Sequence, residues 1–282
     1  LERLEDWGGK EFLSSKFLDF CRMLLSIQAD AEERIGAARS KLTKNIIKDR
    51  ILAGIPLLRF DEIEINWALA EDIFAQVAAT LADYVEILGE VPHGLIKSGS
   101  RPRLSKEMAK AWFEGSEFPS AIAGEEINAY IQGISIHQTL RPFLTNSSEI
   151  LQGFVRQEDW RRCYCPICGS SPDFAFLERE VGERWLLCSR CDAQWLFQRV
   201  ECPCCRNKDK VSLSFFTNDD GVYRLYVCDK CHVYLKAIDL RNAPENVFVP
   251  FERFSTFSID QQGLEMGYRP ISFSGLPRLP DA

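Results

Sequence analysis

Eleven cysteines lie in the 282-residue chain, and ten of them fall between Cys163 and Cys231. Eight form four C-x-x-C pairs: Cys165/Cys168, Cys188/Cys191, Cys202/Cys205 and Cys228/Cys231. A secreted disulfide scaffold is usually short, with cysteines spread along the chain. Here a long cysteine-poor segment precedes a dense cluster of close pairs, which reads as metal binding in a reducing compartment. A tetrahedral metal takes four thiolates at about 2.3 Å for zinc. One C-x-x-C turn supplies two sulfurs and aims backbone N–H groups at them. A hairpin of about 20 residues brings the chain back to supply the other two. Cys165, Cys168, Cys188 and Cys191 are therefore the candidate ligands of a first site, and Cys202, Cys205, Cys228 and Cys231 of a second. Iron and zinc both accept four thiolates in this geometry, so donor identity leaves both open. The rival chemistry, a thioredoxin-like redox pair, opens a helix in a βαβ unit and needs no partner pair; four pairs separated by hairpins fit it poorly.

The cluster is an internal duplication. C-P-I-C-G…E-R-W-L-L-C-S-R-C-D-A-Q-W-L-F aligns with C-P-C-C-R…Y-R-L-Y-V-C-D-K-C-H-V-Y-L-K. The first pairs are offset by 37 residues and the second pairs by 40, which places a three-residue insertion in the second hairpin. Each repeat reads as knuckle, β-hairpin, knuckle. At about 40 residues each is near the size below which an apolar core seldom suffices, and a structural zinc contributes roughly 10–16 kcal/mol in peptide analogues.

Three cysteines are left over. Cys163 and Cys204 sit beside or inside knuckles and read as small residues filling tight turns, with a reactive thiol as the alternative. Cys21 falls on the apolar stripe of a helix and reads as core. His93 and His137 stand alone, as structural histidines do, and His232 follows a site that four cysteines already fill. Arg184, Arg199 and Arg224 read as cations offsetting thiolate charge or forming salt bridges, ahead of a partner surface. Trp185, Trp195 and Tyr234 read as packing the ribbons.

Positioning these residues requires two kinds of structure. Up to about residue 155, apolar side chains recur at helical spacing. Helices are expected over Lys10–Ser40, with Phe12, Phe17, Phe20, Leu24 and Ile27 on the apolar side, and over Asn66–Leu88, Leu104–Glu114 and Glu125–Thr145. Loops are expected at Gly54-Ile55-Pro56, Val91–Gly94 and Ser98–Ser100. Between the cysteine pairs, strands are expected at Glu183–Cys188, Gln194–Val200, Leu213–Thr217 and Tyr223–Val227, with a hairpin turn at Asn218-Asp219-Asp220-Gly221. A proline-bearing tail from 243 should wrap over a neighbour and carry one short helix near Ser258–Met266.

Length and composition bound the function. Two domains of ordinary size fit the length, and 46% hydrophobic with 27% charged residues describes a globular chain. No apolar run reaches the roughly 18 residues of a membrane span. The opening L-E-R-L-E-D-W is acidic where a secretory leader is basic and then apolar. The net charge is −7. Residues 160–242 carry 13 Lys/Arg against 11 Asp/Glu, and two divalent tetrathiolate centres would turn that +2 into −2. This is no clustered basic face, and it argues against nucleic acid as the partner. Nor is there a paired acid and base, a phosphate loop or a nucleophile with an orienting histidine, so the reading is a non-enzyme.

The segment from Trp160 to Lys236 resembles the FdhE-type formate dehydrogenase accessory proteins. The matching elements are C-P-I-C-G-S-S-P (165–172), Arg184 four residues before C-S-R-C, W-L-F-Q-R-V-E-C (195–202) and C-D-K-C-H-V-Y-L-K (228–236), followed by Asp239. The helical first half and the tail fit more loosely. The resemblance implies a cytoplasmic, non-catalytic assembly factor that binds the catalytic subunit of a molybdenum- or tungsten-containing formate dehydrogenase during maturation. It implies rubredoxin-like iron, or zinc, on the eight paired cysteines. Cys163 and Cys204 depart from the family pattern. The expected fold is multi-domain α plus small β: an N-terminal helical bundle (1–155), two tandem rubredoxin-like or zinc-ribbon modules (156–200 and 201–242), and a wrapping C-terminal tail (243–282). The alternatives are a zinc-ribbon nucleic-acid-binding adaptor and a thiol redox or sulfur-carrier enzyme using Cys163 or Cys204.

Overall fold

A computed structural model describes residues 15–36, 42–84, 103–116 and 129–271. Its helices are α1 (Ser15–Ile35), α2 (Lys44–Ala53), α3 (Trp67–Asp83), α4 (Lys106–Glu114), α5 (Ala129–Gln152), α6 (Val249–Ser255) and α7 (Phe257–Glu265). The strands are β1 (Pro172–Leu177), β2 (Arg184–Cys188), β3 (Gln194–Leu196), β4 (Leu213–Thr217), β5 (Tyr223–Cys228), β6 (Val233–Asp239) and β7 (Arg269–Pro270). Two compact units result: one drawn from 1–39 and 60–147, the other from 40–59 and 148–282.

The first unit is helical, as the apolar spacing requires. Helix α1 buries Leu18, Phe20, Ile27 and Ala31. Helix α3 buries a stripe from Leu69 to Leu81 and starts at Asn66, whose Oδ1 accepts the Leu69 N–H at 3.2 Å. Ser105 caps α4 in the same way through Met108 N–H, satisfying a donor that a helix start leaves open. Phe60 closes the core against Trp67 and Phe113. Among the described residues, no helix is long and apolar enough to cross a membrane. Phe12, His93 and the loops expected at 91–94 and 98–100 lie outside the described residues.

The second unit differs from expectation in two ways. The cysteine repeats are not two separate modules: they share one seven-stranded sheet in the order β3-β2-β1-β6-β5-β4, with β7 added to β6. The joint is a parallel pairing of β1 with β6, from Phe174 opposite Lys236 to Leu177 opposite Asp239. Each repeat alone would expose the edges of its first and last strands, and merging first with last pairs two of those four edges. The joint also buries Phe174, Ala175, Leu177, Ala237 and Ile238 almost completely. Strands β1 and β6 were themselves absent from the expected set, because both are buried on the two faces, charged residues included, and show no alternation.

Second, residues 40–59 belong with the cysteine-rich unit, not with the helices beside them in sequence. Helix α2, itself unforeseen, ends before a segment whose Leu57 and Leu58 N–H groups donate to the Pro166 and Ile167 carbonyls of the first knuckle. The length difference between the repeats also falls elsewhere than expected. Both hairpin connections are equal, from Leu177 to Arg184 and from Thr217 to Arg224. The extra residues lie before β4, between Cys205 and Leu213, and a bulge in β1 between Pro172 and Phe174 offsets one of them. Asn218 to Gly221 forms the hairpin turn as read.

The tail does wrap, with two helices in place of one. Lys236 Nζ donates to the Arg253 carbonyl and, at 2.5 Å, to Asp260, and Tyr234 donates to Asp260.

Candidate metal centres

All four knuckles have the same local build. In each, the residue after the second cysteine is left-handed: Gly169 (φ 77°), Asp192 (54°), Arg206 (60°) and His232 (52°). That conformation lets the N–H two or three residues beyond the first cysteine turn toward its sulfur. Ile167 N–H donates to Cys165 Sγ at 3.3 Å, Arg190 N–H to Cys188 Sγ at 3.4 Å, and Cys204 N–H to Cys202 Sγ at 3.4 Å. The second ring of bonds is backbone only: Gly169 N–H to Cys165 O, Arg206 N–H to Cys202 O, His232 N–H to Cys228 O. At Gly169 a side chain is excluded twice over, because an added Cβ would stand 2.9 Å from Pro56 Cγ. His232 is thus the turn residue of its knuckle, and its role is conformational.

The hairpins then close two clusters. In each, the four sulfurs lie within 4.8 Å of one another. In the first, Cys165 and Cys191 sulfurs are 3.6 Å apart and those of Cys168 and Cys188 3.4 Å. In the second, Cys202–Cys231 and Cys205–Cys228 are each 3.7 Å apart. A tetrahedral site with sulfur at about 2.3 Å requires sulfur–sulfur edges of about 3.8 Å, so both clusters have the size of a tetrathiolate cage. The electrostatics agree. Burial pushes the Cys165 and Cys191 thiols well above the ordinary thiol range, with the neighbouring sulfurs adding to it, and burial takes Cys202 to about 12. Hydrogen bonds from the neighbouring sulfurs hold Cys168 well below that range in spite of its burial, so one thiolate is stabilised among thiols, and all four ionise together only around a cation.

The two clusters differ in access. All four sulfur residues of the first are buried, whereas Cys205 and Cys231 of the second are half-buried. Asn207 supplies an amide to Cys228 Sγ at 3.9 Å, a contact the spacing gave no reason to expect. The first cluster is braced from the tail by Arg253, whose Nη2 donates to the Cys188 carbonyl at 3.0 Å and stands 2.9 Å from Asp192 and 3.3 Å from Asp173. Nothing in the local sequence of the tail announces that contact.

The arginines read as charge-offsetting take three different positions. Arg184 is buried over the Phe197 and Tyr226 rings and donates to the Gln198 and Glu201 carbonyls, gripping the chain between the repeats. Burial lowers its pKa to about 10. Arg224, its counterpart in the second repeat, pairs with Asp239 at 2.5 Å, and Arg199 is exposed. Trp195 and Tyr234 are buried, and Trp185 stacks on Phe176. Cys163 is buried and burial raises its pKa, the opposite of what an activated thiolate requires; Cys204 is half-buried. Cys21 is half-buried, with its thiol raised to about 11 by burial, and His137 stacks on Trp112.

Comparison with known proteins places this arrangement. A family profile described as "FdhE, central domain" matches residues 164–199. A protein FdhE homolog of Aquifex aeolicus (strain VF5) is 37% identical over 134 residues, 46% of this chain and 46% of that protein. Protein FdhE of Escherichia coli O127:H6 is 26% identical over 172 residues, 60% of this chain and 53% of that one. The matched region thus spans about half the length of these curated relatives or less. The crystal structure of the FdhE protein from Pseudomonas aeruginosa shares the fold, with a TM-score of 0.54 at 22% identity, covering 92% of this chain and 87% of that one. Taken with the duplicated four-cysteine repeat on one sheet, these matches make the chain similar to FdhE proteins over its cysteine-rich part.

Proposed function

We propose that the chain is a metal-binding accessory protein that recognises the catalytic subunit of a molybdenum- or tungsten-containing formate dehydrogenase during its maturation in the cytoplasm. The observation that carries the reading is the pair of preformed four-sulfur cages on a shared sheet, in a chain similar to FdhE proteins. Cys165, Cys168, Cys188 and Cys191 hold one metal ion and Cys202, Cys205, Cys228 and Cys231 the other. Iron in such a site supplies one-electron chemistry, and zinc supplies rigidity alone. The chain's own residues screen the ligands with backbone N–H groups and fix the knuckle backbones. Arg184 and Arg224 are committed to carbonyls and to Asp239, and Arg206 pairs with Glu201.

Co-purification of the full chain with the catalytic subunit, in apo and mature forms, tests the partner. Capture of the apo form is expected, and binding of neither form refutes the reading. Elemental analysis with a visible spectrum on anaerobically purified protein tests the metal: two ions per chain are expected, and ferric tetrathiolate is coloured where zinc is not. Serine at any one of the eight cysteines should lower metal content, and unchanged stoichiometry would refute that ligand.

A further inference from the structure

The two repeats are joined head to tail, so the outer edge of β1, which receives β6, has a counterpart in the outer edge of β4. The sheet ends there. The Asn218 N–H bonds to Tyr223 O, and the Asp229 N–H to Ser212 O. Bonded and non-bonded pairs alternate along an antiparallel ladder, so in β4 the N–H and C=O groups of Leu213, Phe215 and Thr217 point away from β5. Among the described residues no strand receives them. The opposite edge of the sheet is treated differently. There the outward N–H groups of Gln194 and Leu196 are taken by the side-chain amides of Gln152 and Gln157, at 2.7 and 2.8 Å.

Open edges are usually guarded by charge, proline or a covering element. Strand β4 reads L-S-F-F-T, with neither charge nor proline, and leaves Phe215 49% and Phe216 47% exposed, next to Val211 at 90%. Its flanks differ in net charge: exposed Lys208, Asp209 and Lys210 before it, with Lys208 3.3 Å from Glu201, and exposed Asp219 and Asp220 after it. Lys210 and Asp220 each lie five residues from Phe215. Two copies paired antiparallel about Phe215 would therefore set the lysine flank of each against the aspartate flank of the other. Head-to-tail addition of copies through β3 is blocked by the two glutamines, and only a self-complementary pairing remains.

We propose that β4 is a homodimer interface, through which two copies pair edge to edge about a two-fold axis at Phe215 and continue one sheet into the other. The backbone supplies affinity, and the opposed flanks fix register and antiparallel sense. A five-residue edge is small beside a standard interface, so the dimer is weak and forms reversibly.

Sedimentation of the full metal-loaded chain tests this. The mass should rise from 32.2 kDa toward twice that value with concentration. Amide exchange should slow with concentration at Leu213, Phe215 and Thr217, but not at Ser214 or Phe216, whose N–H groups already face β5. Phe215→Pro removes the outward N–H together with the ring that contacts Tyr226 and Arg224, and should weaken the dimer by at least about tenfold. Lys210→Glu and Asp220→Lys should each weaken it alone, by placing like charges opposite, and equimolar mixing of these two variants should restore a heterodimer. The mixing result stands even if Phe215→Pro misfolds. A chain that stays at 32.2 kDa throughout, including one that binds an extended peptide of another protein at β4, overturns the proposal. So does a dimer indifferent to the β4 variants, or one that mixing fails to restore.

Discussion

Arg253 is the residue through which the tail reaches the first cage, and its replacement by methionine tests that connection. The guanidinium is buried, lies within 3.3 Å of two carboxylates, and donates to the carbonyl of a cage cysteine. Burial depresses its pKa, but Asp173 and Asp192 raise it by more, so it stays charged. Removing one member of a buried ion cluster typically costs about 3–5 kcal/mol, because the partners keep their desolvation penalty. Here the stranded side chains are Asp192, 15% exposed, and Asp173, 24% exposed. Partial hydration relieves them, which brings the expected loss down to about 2–3 kcal/mol. For a unit of this size each kcal/mol shifts the midpoint by roughly 2–4 °C, so Arg253→Met should melt about 5–10 °C lower. Adding Asp192→Asn should recover part of the loss, since an amide tolerates the vacated site better than a carboxylate. Thermal unfolding followed by circular dichroism, with metal content measured on the same samples, reads both effects. The first cage should lose metal more readily and the second should not. A midpoint within about 1 °C of the parent would refute the reasoning, as would a double variant no better than the single.

Three further outcomes follow from the same geometry. Gly263→Ala should destabilise, by about 1–3 kcal/mol in a denaturant titration, although alanine favours a helix: its Cβ would stand 2.7 Å from the Tyr234 ring. A chelator challenge should release metal in two phases, with the second cage first, because Cys205 and Cys231 are half-buried while the first cage is buried throughout; release in the reverse order would contradict the exposure argument. Hydrogen bonds from Arg241, helped by the Arg224 charge, hold the Asp239 carboxyl below the usual carboxylate range. Its contribution is therefore present above the unfolded-state value near about 3.9 and lost as the pH falls through the lower folded value. Asp239→Asn should remove that part of the acid dependence, measured as the difference between the two unfolding curves.

How much of this was legible in the residues varies by element. Each C-x-x-C pair fixes two sulfurs within a few bonds of one another, and the hairpin between pairs is a local structure with its own turn signal at Asn218–Gly221. That is why both cages follow from spacing. Helices α3 and α4 follow from apolar periodicity, and the structure adds the caps at Asn66 and Ser105. Strands β1 and β6 did not announce themselves, since each is covered on both faces and interrupted by buried charges, and so shows no alternation. The recruitment of residues 55–58 to the first knuckle likewise joins segments about 110 residues apart.

By itself, then, the order of the residues determined the four knuckles, the duplication and the helical half, because the contacts that build them are short in sequence. Only the tertiary structure decided that the two repeats form one sheet, that Arg253 braces the first cage, that Arg184 grips the inter-repeat chain, and that one sheet edge is capped while the other receives no strand among the described residues. Those choices depend on which distant edges and charges meet once the chain has closed, and a one-dimensional pattern carries no record of pairing partners.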